Sequence, residues 1–286
     1  MTKVGIIGGS GLYEIEGFSG EKEVSVTTPF GKTSDKLITG KLDGVSVVFL
    51  PRHGKGHRIN PTEVNYRANI YAMKELGVDA VISVTACGSL KEAIKPLDFV
   101  VPDQFVDRTN KNRASTFFEG GIVAHVAFAE PFSGEIRKIL IDSAKGLKLT
   151  VHEKGTYLNM EGPQFSTKAE SNLYRSWGMD IIGMTNLTEA KLAREAEISY
   201  ASLAAVTDYD CWHPEHDSVT IEMIIQYLTK NAENAKRILK AAVPKIGKLK
   251  AFSAQDALKF AIVTNPKLIP AKKKKDLAIL IGKYIK

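Results

Sequence analysis

The stretch Ile198-Ser-Tyr-Ala-Ser-Leu-Ala-Ala-Val206, followed by Thr207-Asp-Tyr-Asp210, decides the predicted fold. A run so rich in small and apolar residues is typical of a strand buried on both faces, as in a covered parallel sheet. Two carboxylates, Asp208 and Asp210, follow where the strand should end, and alternate residues of an extended chain share one face. Ligands of α/β sheets collect at such strand ends, and a close pair of acids raises the pKa of one partner. A solvated Asx turn explains the same four residues.

Strand-like and helix-like segments alternate along the rest of the chain. Residues 3–7 and 78–84 have the short apolar runs of buried strands, whereas residues 61–76 have helical character and end at a glycine. Residues 219–242 form a predicted long amphipathic helix that ends before Pro244, because proline lacks the N–H that a helix interior requires. The alternation, with a polar junction after each strand, predicts an α/β fold: a single domain with a central mixed, mostly parallel sheet flanked by helices.

The charge of the chain is concentrated near its end. The net charge is +7 and the pI is near 9.2, and much of the excess comes from residues 272–275 together with Lys267, Lys283 and Lys286. A basic tail can bind nucleic acid. A solvated helix face is the commoner explanation, so we expect no nucleic-acid partner.

Several other classes of protein are disfavoured by the sequence. No apolar run approaches the ~20 residues that span a bilayer, and the apolar residues 4–7 are too few for a signal peptide. The two cysteines, Cys87 and Cys211, form no CxxC motif, and no His/Cys cluster has zinc spacing. We therefore expect a cytoplasmic protein with reduced thiols, no metal and no membrane association.

Four further predicted strand ends carry groups suited to an anion, namely loop N–H groups, hydroxyls and a guanidinium. They are Gly8-Gly-Ser-Gly11, Arg52-His53, Thr85-Ala86 and Met184-Thr185. The glycine loop lacks the full G-x-G-x-x-G spacing and no clear helix follows it, so an NAD-dependent enzyme is the less favoured interpretation. A molecule with a phosphate at one end and a hydrogen-bonding heterocycle at the other fits these ends and the acidic pair.

Eight motifs, taken in order, resemble the trimeric-type purine nucleoside phosphorylases, and among them the 5′-methylthioadenosine phosphorylases. They are Ile6-Ile-Gly-Gly-Ser-Gly-Leu12, Thr28-Pro-Phe-Gly31, Arg52-His-Gly54, residues 61–66, Thr85-Ala-Cys-Gly-Ser89, Asp103-Gln-Phe-Val-Asp-Arg-Thr109, Glu161-Gly-Pro-Gln-Phe165 and Thr207-Asp-Tyr-Asp-Cys-Trp212. The resemblance covers residues 3 to 247. It divides the chain into a nucleoside phosphorylase domain, 1–250, and a C-terminal helical extension, 251–286, packed on the same domain.

The resemblance implies a phosphorolysis in which inorganic phosphate, a co-substrate rather than a cofactor, attacks C1′ of the ribosyl ring as the purine leaves. The phosphate would then be held by Ser10, Arg52, His53, Thr85, Thr185 and the backbone of Ala86. Met184 should lie along the ribose, Phe165 should contact the base or sugar, and Ser166 should help to select the base. Gly183 stands where the family often has Asn.

The acidic pair then predicts which base is bound. Adenine presents an N6 amino donor beside the N7 acceptor, so we expect Asp208 to deliver a proton to N7 and Asp210 to bind N6. A mispaired buried polar group costs ~1–3 kcal/mol, which favours adenine over a 6-oxopurine. A preference for methylthioinosine, inosine or adenosine is the alternative.

Two expectations concern the 5′ end of the substrate. Ile221, at the apolar start of the long helix, could line a pocket for a thioether. His125 matches the position that in this family reaches the 5′ pocket of a neighbouring subunit. The resemblance therefore implies a homo-oligomer, either a trimer or a hexamer.

Overall fold

The structure, a computed structural model, describes residues 1–9, 12, 14–110, 112–214 and 221–285, with backbone only for 221–225. Its strands are β1 (Lys3–Gly8), β2 (Phe18–Val24), β3 (Leu37–Leu42), β4 (Val45–Pro51), β5 (Ala80–Ser89), β6 (Phe99–Val100), β7 (Gln104–Arg108), β8 (Val151–His152), β9 (Thr156–Met160), β10 (Ile181–Gly183) and β11 (Ser199–Asp208). Its α-helices are α1 (Tyr66–Glu75), α2 (Gly134–Gly146), α3 (Lys168–Ser176), α4 (Asn186–Glu195), α5 (Ile221–Ile246), α6 (Ala271–Asp276) and α7 (Ala278–Ile281), and a 3₁₀ helix covers Pro266–Leu268.

One mixed sheet contains all of these strands, with β5 at its centre. The strand order is β2-β3-β4-β1-β5-β10-β9-β7, and β11 pairs with both β5 and β6. Pairing is parallel between β1 and β4, β1 and β5, β5 and β11, β9 and β10, β7 and β9, and β6 and β8. The remaining pairs are antiparallel. The prediction of a central mixed, mostly parallel sheet is confirmed.

Strand β11 is buried along nearly its whole length because helices cover both faces of the sheet. Tyr200 joins an apolar cluster with α1 and α4, represented by Ile70 and Leu192. Leu203 points the other way and joins a second cluster with α2 and α5, to which Leu239 belongs. The alternation of neighbouring strand residues between two clusters explains why this stretch contains almost no charge.

Three predicted boundaries differ from the structure. Strand β5 continues from Ala80 to Ser89, so the segment interpreted as a strand-end turn at residues 85–89 is itself strand. Helix α1 begins only at Tyr66, because Asn65 caps it by accepting the N–H of Ala68. Helix α5 does not stop before Pro244 but runs to Ile246. There, burial of the apolar residues of the last turn outweighs one missing N–H.

The residues after 250 pack onto the same core as α1. Leu258, Leu277 and Ile281 belong to the cluster that contains Ile70. The buried carboxylate of Glu197 accepts hydrogen bonds from the N–H of Leu258 and the hydroxyl of Tyr284, and it pairs with Lys283. The division of the chain at residue 250 stays a prediction. None of the helices in the described ranges is both long and apolar enough to span a membrane.

A buried carboxylate at the end of α4 holds the long irregular segment between β7 and α2. Glu195, only 7% exposed, accepts the hydroxyl of Thr116 and the N–H of Phe117, both at 2.7 Å. Burial raises the pKa of Glu195 to about 7, against the lowering effect of these two hydrogen bonds. The ionised form is therefore costly to keep in the folded chain.

Glu195→Gln is expected to change how stability depends on pH. A carboxyl whose pKa is raised on folding stabilises the fold fully below its unfolded value and loses that contribution as pH rises through the folded value. The window here runs from about pH 4.5 to pH 7. The free energy of unfolding of the variant should therefore gain about 3 kcal/mol on wild type across this window. Urea denaturation at fixed protein concentration measures it, with Glu233→Gln at an exposed position of α5 as control. Parallel profiles for variant and wild type would contradict the prediction.

Candidate active site

A cavity of about 790 Å³ opens at the carboxyl ends of β1, β4, β5, β9, β10 and β11. This is the edge of an α/β sheet at which ligands bind, and the volume lies within the roughly 300–1,000 Å³ of small-molecule pockets. The predicted site residues that line it are Arg52, His53, Thr85, Ala86, Phe165, Met184, Thr185, Asp208 and Asp210. Residues from distant parts of the sequence thus meet in one place because their strands end at one edge.

The other predicted site residues stand apart from this set. Ser166 lies beside the cavity, where its carbonyl accepts from the thiol of Cys211 at 3.3 Å. His125 is exposed and lies elsewhere, with its N–H bonded to the carbonyl of Ala261. Ser10 and the side chain of Ile221 lie outside the described residues.

Arg52 is held in a buried hydrogen-bond network rather than standing free as an anion clamp. Its Nε and Nη2 donate to the carboxylate of Glu189, and Nη2 also donates to the hydroxyl of Ser83. Its Nη1 donates to the carbonyl of Val84 at 3.2 Å. Tyr200 completes the network by donating to Glu189 at 2.9 Å. Since a guanidinium has five N–H groups, these bonds leave one Nη1 donor for a ligand.

His53 can serve an anion only as an acceptor. Its Nδ1 lies 2.8 Å from the carbonyl of Ile59, which accepts only, so Nδ1 carries the proton. Burial, reinforced by the charge of Arg52, lowers the pKa of His53 to about 4. The ring is therefore neutral near pH 7 and Nε2 keeps a lone pair. It can accept a hydrogen bond from a protonated phosphate oxygen or a sugar hydroxyl.

Two threonines bring hydroxyls to the same part of the cavity. Thr185 precedes α4, and its hydroxyl caps no backbone N–H of that helix but donates to the side chain of Asn186 at 3.2 Å. The N–H of Leu187 in this turn is already bonded to Asn159 Oδ1 at 3.0 Å. The other N–H groups and the dipole of the helix start favour an anion at this end. Thr85 is half-buried on β5, and its hydroxyl contacts only the carbonyl of Ala86, at 3.1 Å. The described groups here are mainly hydrogen-bond donors.

The acidic pair occupies another part of the cavity. Asp208 is the last residue of β11, directly after a break in its register with β5. Its carboxylate accepts the hydroxyl of Thr207 at 2.6 Å and the N–H of Asp210 at 2.8 Å. Burial, together with the nearby charge of Asp210, raises the pKa of Asp208 above its ordinary value. Asp210 adopts a left-handed conformation with φ of 51°. The expected proton donor therefore sits where its acid form is favoured.

Arg113 fixes the loops that carry the ribose-side residues. It reaches out of the segment between β7 and α2 and pairs with Glu161 at 2.8 Å. It also donates to the carbonyl oxygens of Glu161 and Met184. Thr62 donates to the same carboxylate at 2.6 Å. Burial alone would raise the pKa of Glu161, but these hydrogen bonds lower it.

Three positions of this site were missed in the sequence. Glu189 is one of several acids in the helical segment that forms α4, and Arg113 is one cation in a polar loop. Asn231 lines the cavity and donates to the carbonyl of Val206 at 2.8 Å, but it lies within a long amphipathic helix. Each gains its role from partners far along the chain, and local spacing carries no signal for such contacts. Among the described residues no cluster of three or more His, Cys, Asp or Glu could hold a metal ion.

The chain belongs to the phosphorylase superfamily, whose family model matches residues 3–244. It is 57% identical to the S-methyl-5′-thioadenosine phosphorylase of Koribacter versatilis, over 99% of this chain and 97% of that protein. It is also 57% identical to the protein of the same name from Thermosynechococcus vestitus, over 99% of both chains.

Solved structures agree with these relatives. A methylthioadenosine phosphorylase from an Antarctic soil metagenomic library superposes with a TM-score of 0.94 at 50% identity, covering 98% of both chains. The methylthioadenosine phosphorylase of Schistosoma mansoni, solved in complex with tubercidin, gives a TM-score of 0.82 at 41% identity. That match covers 91% of this chain and 96% of the other.

Glu189→Gln should both destabilise the fold and weaken anion binding near Arg52 and Thr185. Removing one charge of a buried ion pair leaves the other uncompensated, so we expect a loss of about 3 kcal/mol in the free energy of unfolding. Because Glu189 also holds the guanidinium of Arg52 and helix α4 in position, and we expect this loss of orientation to outweigh the freed charge, inorganic phosphate should stabilise the variant less than wild type in thermal denaturation. Glu233→Gln, which removes an exposed partner of Lys230 on α5, is the matched control and should change neither quantity. Equal effects of the two substitutions would show that the buried pair has no special role.

Proposed function

We infer that the protein catalyses the phosphorolysis of S-methyl-5′-thioadenosine to adenine and 5-methylthioribose 1-phosphate, which makes it a pentosyltransferase. The relatives with more than half of their residues identical carry this activity in their names. The observation that carries the inference is a single cavity lined both by the hydroxyl groups of Thr85 and Thr185 and by Asp208, a buried acid whose pKa is raised.

The separation of these two parts fits a nucleoside with a phosphate beside it. Two residues give the distance between these parts: the carbonyl of Val84 accepts from Arg52, and Gly88 lies next to Asp208 and Asp210. Both lie on β5, and four strand residues at ~3.3 Å each separate them by about 13 Å. The phosphate is then bound by Thr85, Thr185 and the remaining donor of Arg52. His53 accepts a hydrogen bond from the phosphate or the sugar.

The reaction follows from this placement. A phosphate oxygen bonds to C1′ while the bond from C1′ to N9 breaks, and the bonding electrons pass to the purine. The proton of Asp208 moves to N7, which neutralises the leaving base. The resulting carboxylate is stabilised by the N–H of Asp210 and the hydroxyl of Thr207. That hydroxyl has one proton and two acceptors, Asp208 and the carbonyl of Cys87 at 3.2 Å, so it can turn to Asp208 when the charge forms.

The assay of this proposal measures base release from methylthioadenosine, adenosine, methylthioinosine and inosine, with and without phosphate. We expect the highest kcat/KM for methylthioadenosine, and no release in the absence of phosphate. Phosphate-independent release, or no release at all, would sink the proposed reaction. A higher kcat/KM for the 6-oxopurines would instead favour the alternative substrate preference.

Asp208→Asn is expected to shift base preference and to change the pH profile. An amide can donate to a 6-oxopurine but cannot deliver a proton to N7, so the ratio of kcat/KM for methylthioadenosine over methylthioinosine should fall by about tenfold or more. Because burial raises the pKa of Asp208, its acid form persists to a higher pH than in an exposed aspartate and is lost as the pH rises further. Wild-type kcat/KM should decline along that limb and the variant should lack it. An unchanged ratio would disprove this account of base recognition.

The 5′ end of the cavity supports two further proposals. Leu228 of α5 lines it and is 41% exposed, and Phe165 at its mouth is 80% exposed. We propose that Leu228 contacts the methylthio end of the substrate, that Phe165 contacts the base or sugar, and that a neighbouring subunit covers both. His125 and the exposed Val123 and Phe260 would then belong to that interface.

A homo-oligomer, trimer or hexamer, is therefore proposed. Sedimentation should give a multiple of 31.3 kDa, and a monomer at micromolar concentration would contradict it. The cytoplasmic location and the expected lack of cofactor, metal and nucleic-acid partner stay predictions.

A further inference from the structure

The hydroxyl of Tyr157 lies beside the cavity without a hydrogen-bond partner. Tyr157 is in β9, its side chain is fully buried, and its hydroxyl oxygen makes no hydrogen bond in the described structure. The ring is fixed by the cluster around Val100 and Ile181 and by an edge contact with Phe105 at 5.5 Å between centroids. Burying a hydroxyl without a hydrogen-bond partner reduces the stability of the fold and is rare in proteins, which suggests that this hydroxyl has another role.

The hydroxyl of Tyr157 occupies the space that a side chain at position 183 would need. A Cβ built on Gly183 would lie 1.8 Å from the hydroxyl oxygen of Tyr157 and 2.6 Å from its Cζ. Strands β9 and β10 are parallel, with Tyr157 opposite Ile181, so the ring extends along β10 to Gly183. Gly183 lines the cavity. The tyrosine thus brings a polar group to the place that a side chain at 183 would occupy.

The neighbours of this hydroxyl include two residues of the proposed phosphate site, Thr85 and Arg52. Burial raises the pKa of Tyr157, the hydroxyl of Thr85 opposes that rise, and the charges of Arg52 and Glu189 also act on it. The hydroxyl of Thr85 donates to the carbonyl of Ala86 at 3.1 Å, and its oxygen can still accept a hydrogen bond. The hydroxyl of Tyr157, which has no partner of its own, is near enough to supply such a donor.

We propose that Tyr157 is a positioning residue for phosphate: when the anion binds, the Tyr157 hydroxyl donates a hydrogen bond to Thr85 Oγ1, and the proton of Thr85 turns from the carbonyl of Ala86 toward the anion. This rests on the proposed function, in which Thr85 holds the phosphate. A chain of two hydroxyls strengthens each hydrogen bond by polarisation. The chain also explains why a polar tyrosine, rather than a phenylalanine, fills the space beside Gly183. No bond is made or broken by Tyr157.

Tyr157→Phe tests the proposal because it removes one oxygen atom and keeps the ring. The KM for phosphate should rise about fivefold, the factor expected from one ordinary net hydrogen bond, while the KM for methylthioadenosine stays the same. In thermal denaturation without ligand the variant should be at least as stable as wild type, since the lost hydroxyl had no partner. The shift in Tm produced by saturating phosphate should be smaller.

A double-mutant cycle with Thr85→Val separates this role from a direct contact. If Tyr157 acts through Thr85, Tyr157→Phe adds nothing to the phosphate KM of the Thr85→Val enzyme. Additive effects, or equal changes in both KM values, would overturn the proposal. Tyr71→Phe is the matched control, because the Tyr71 hydroxyl donates to the carbonyl of Asp276 away from the cavity, and its phosphate KM should not change.

The same measurements distinguish failure of this inference from failure of the proposed function. Wild-type turnover that depends on phosphate, combined with an unaltered phosphate KM in Tyr157→Phe, rejects only the role of Tyr157. Lack of wild-type turnover rejects the reaction. The phosphate-induced shift in Tm then still reports whether Tyr157 supports anion binding, because it requires no catalysis.

Discussion

The buried ion pair between Arg52 and Glu189 is the interaction on which the cavity depends. Arg52 follows β4, Ser83 and Val84 belong to β5, Glu189 lies in α4, and Tyr200 comes from β11. The ion pair therefore joins three strands and a helix at the edge of the sheet where the cavity opens. A buried ion pair contributes little net stability compared with apolar packing. Its effect here is geometric, because it orients α4 so that Thr185 and the helix start border the cavity.

This pairing changes how an anion can be bound. Glu189 compensates the charge of Arg52, so the guanidinium does not act as an isolated cation. In the proposed phosphate site the anion would then be held mainly by oriented dipoles, namely the hydroxyls of Thr85 and Thr185 and the start of α4, together with one remaining N–H of Arg52. Preorganised dipoles need no reorganisation when charge moves from phosphate to the purine. In this proposal the buried pair supplies orientation, and the groups around it would supply most of the binding contacts.

The parts of the site that were predictable are those with a local signature. A buried strand followed by a polar residue can be identified in a single stretch, and Arg52, Thr85, Met184 and Asp208 were found that way. Glu189 lies 137 residues from Arg52, and Arg113 lies 71 residues from Met184, so neither partner leaves a signal in the spacing. The tautomer of His53 is equally invisible, because it depends on the carbonyl of Ile59.

The fold was predicted better than the ends of its elements, for a related reason. Alternating strands and helices specify the layers, but an end is decided by contacts across the sheet. Strand β5 continues through residues 85–89 because β11 and β10 pair with it there, although its sequence, with Gly88, resembles a turn. Gly88 is needed at that point for another reason. A Cβ there would lie 3.0 Å from the carboxylate of Asp208 and 3.1 Å from Ile182. The residue that made the strand look finished is therefore the one that lets the acid approach β5 closely enough to be buried, and burial is what raises its pKa.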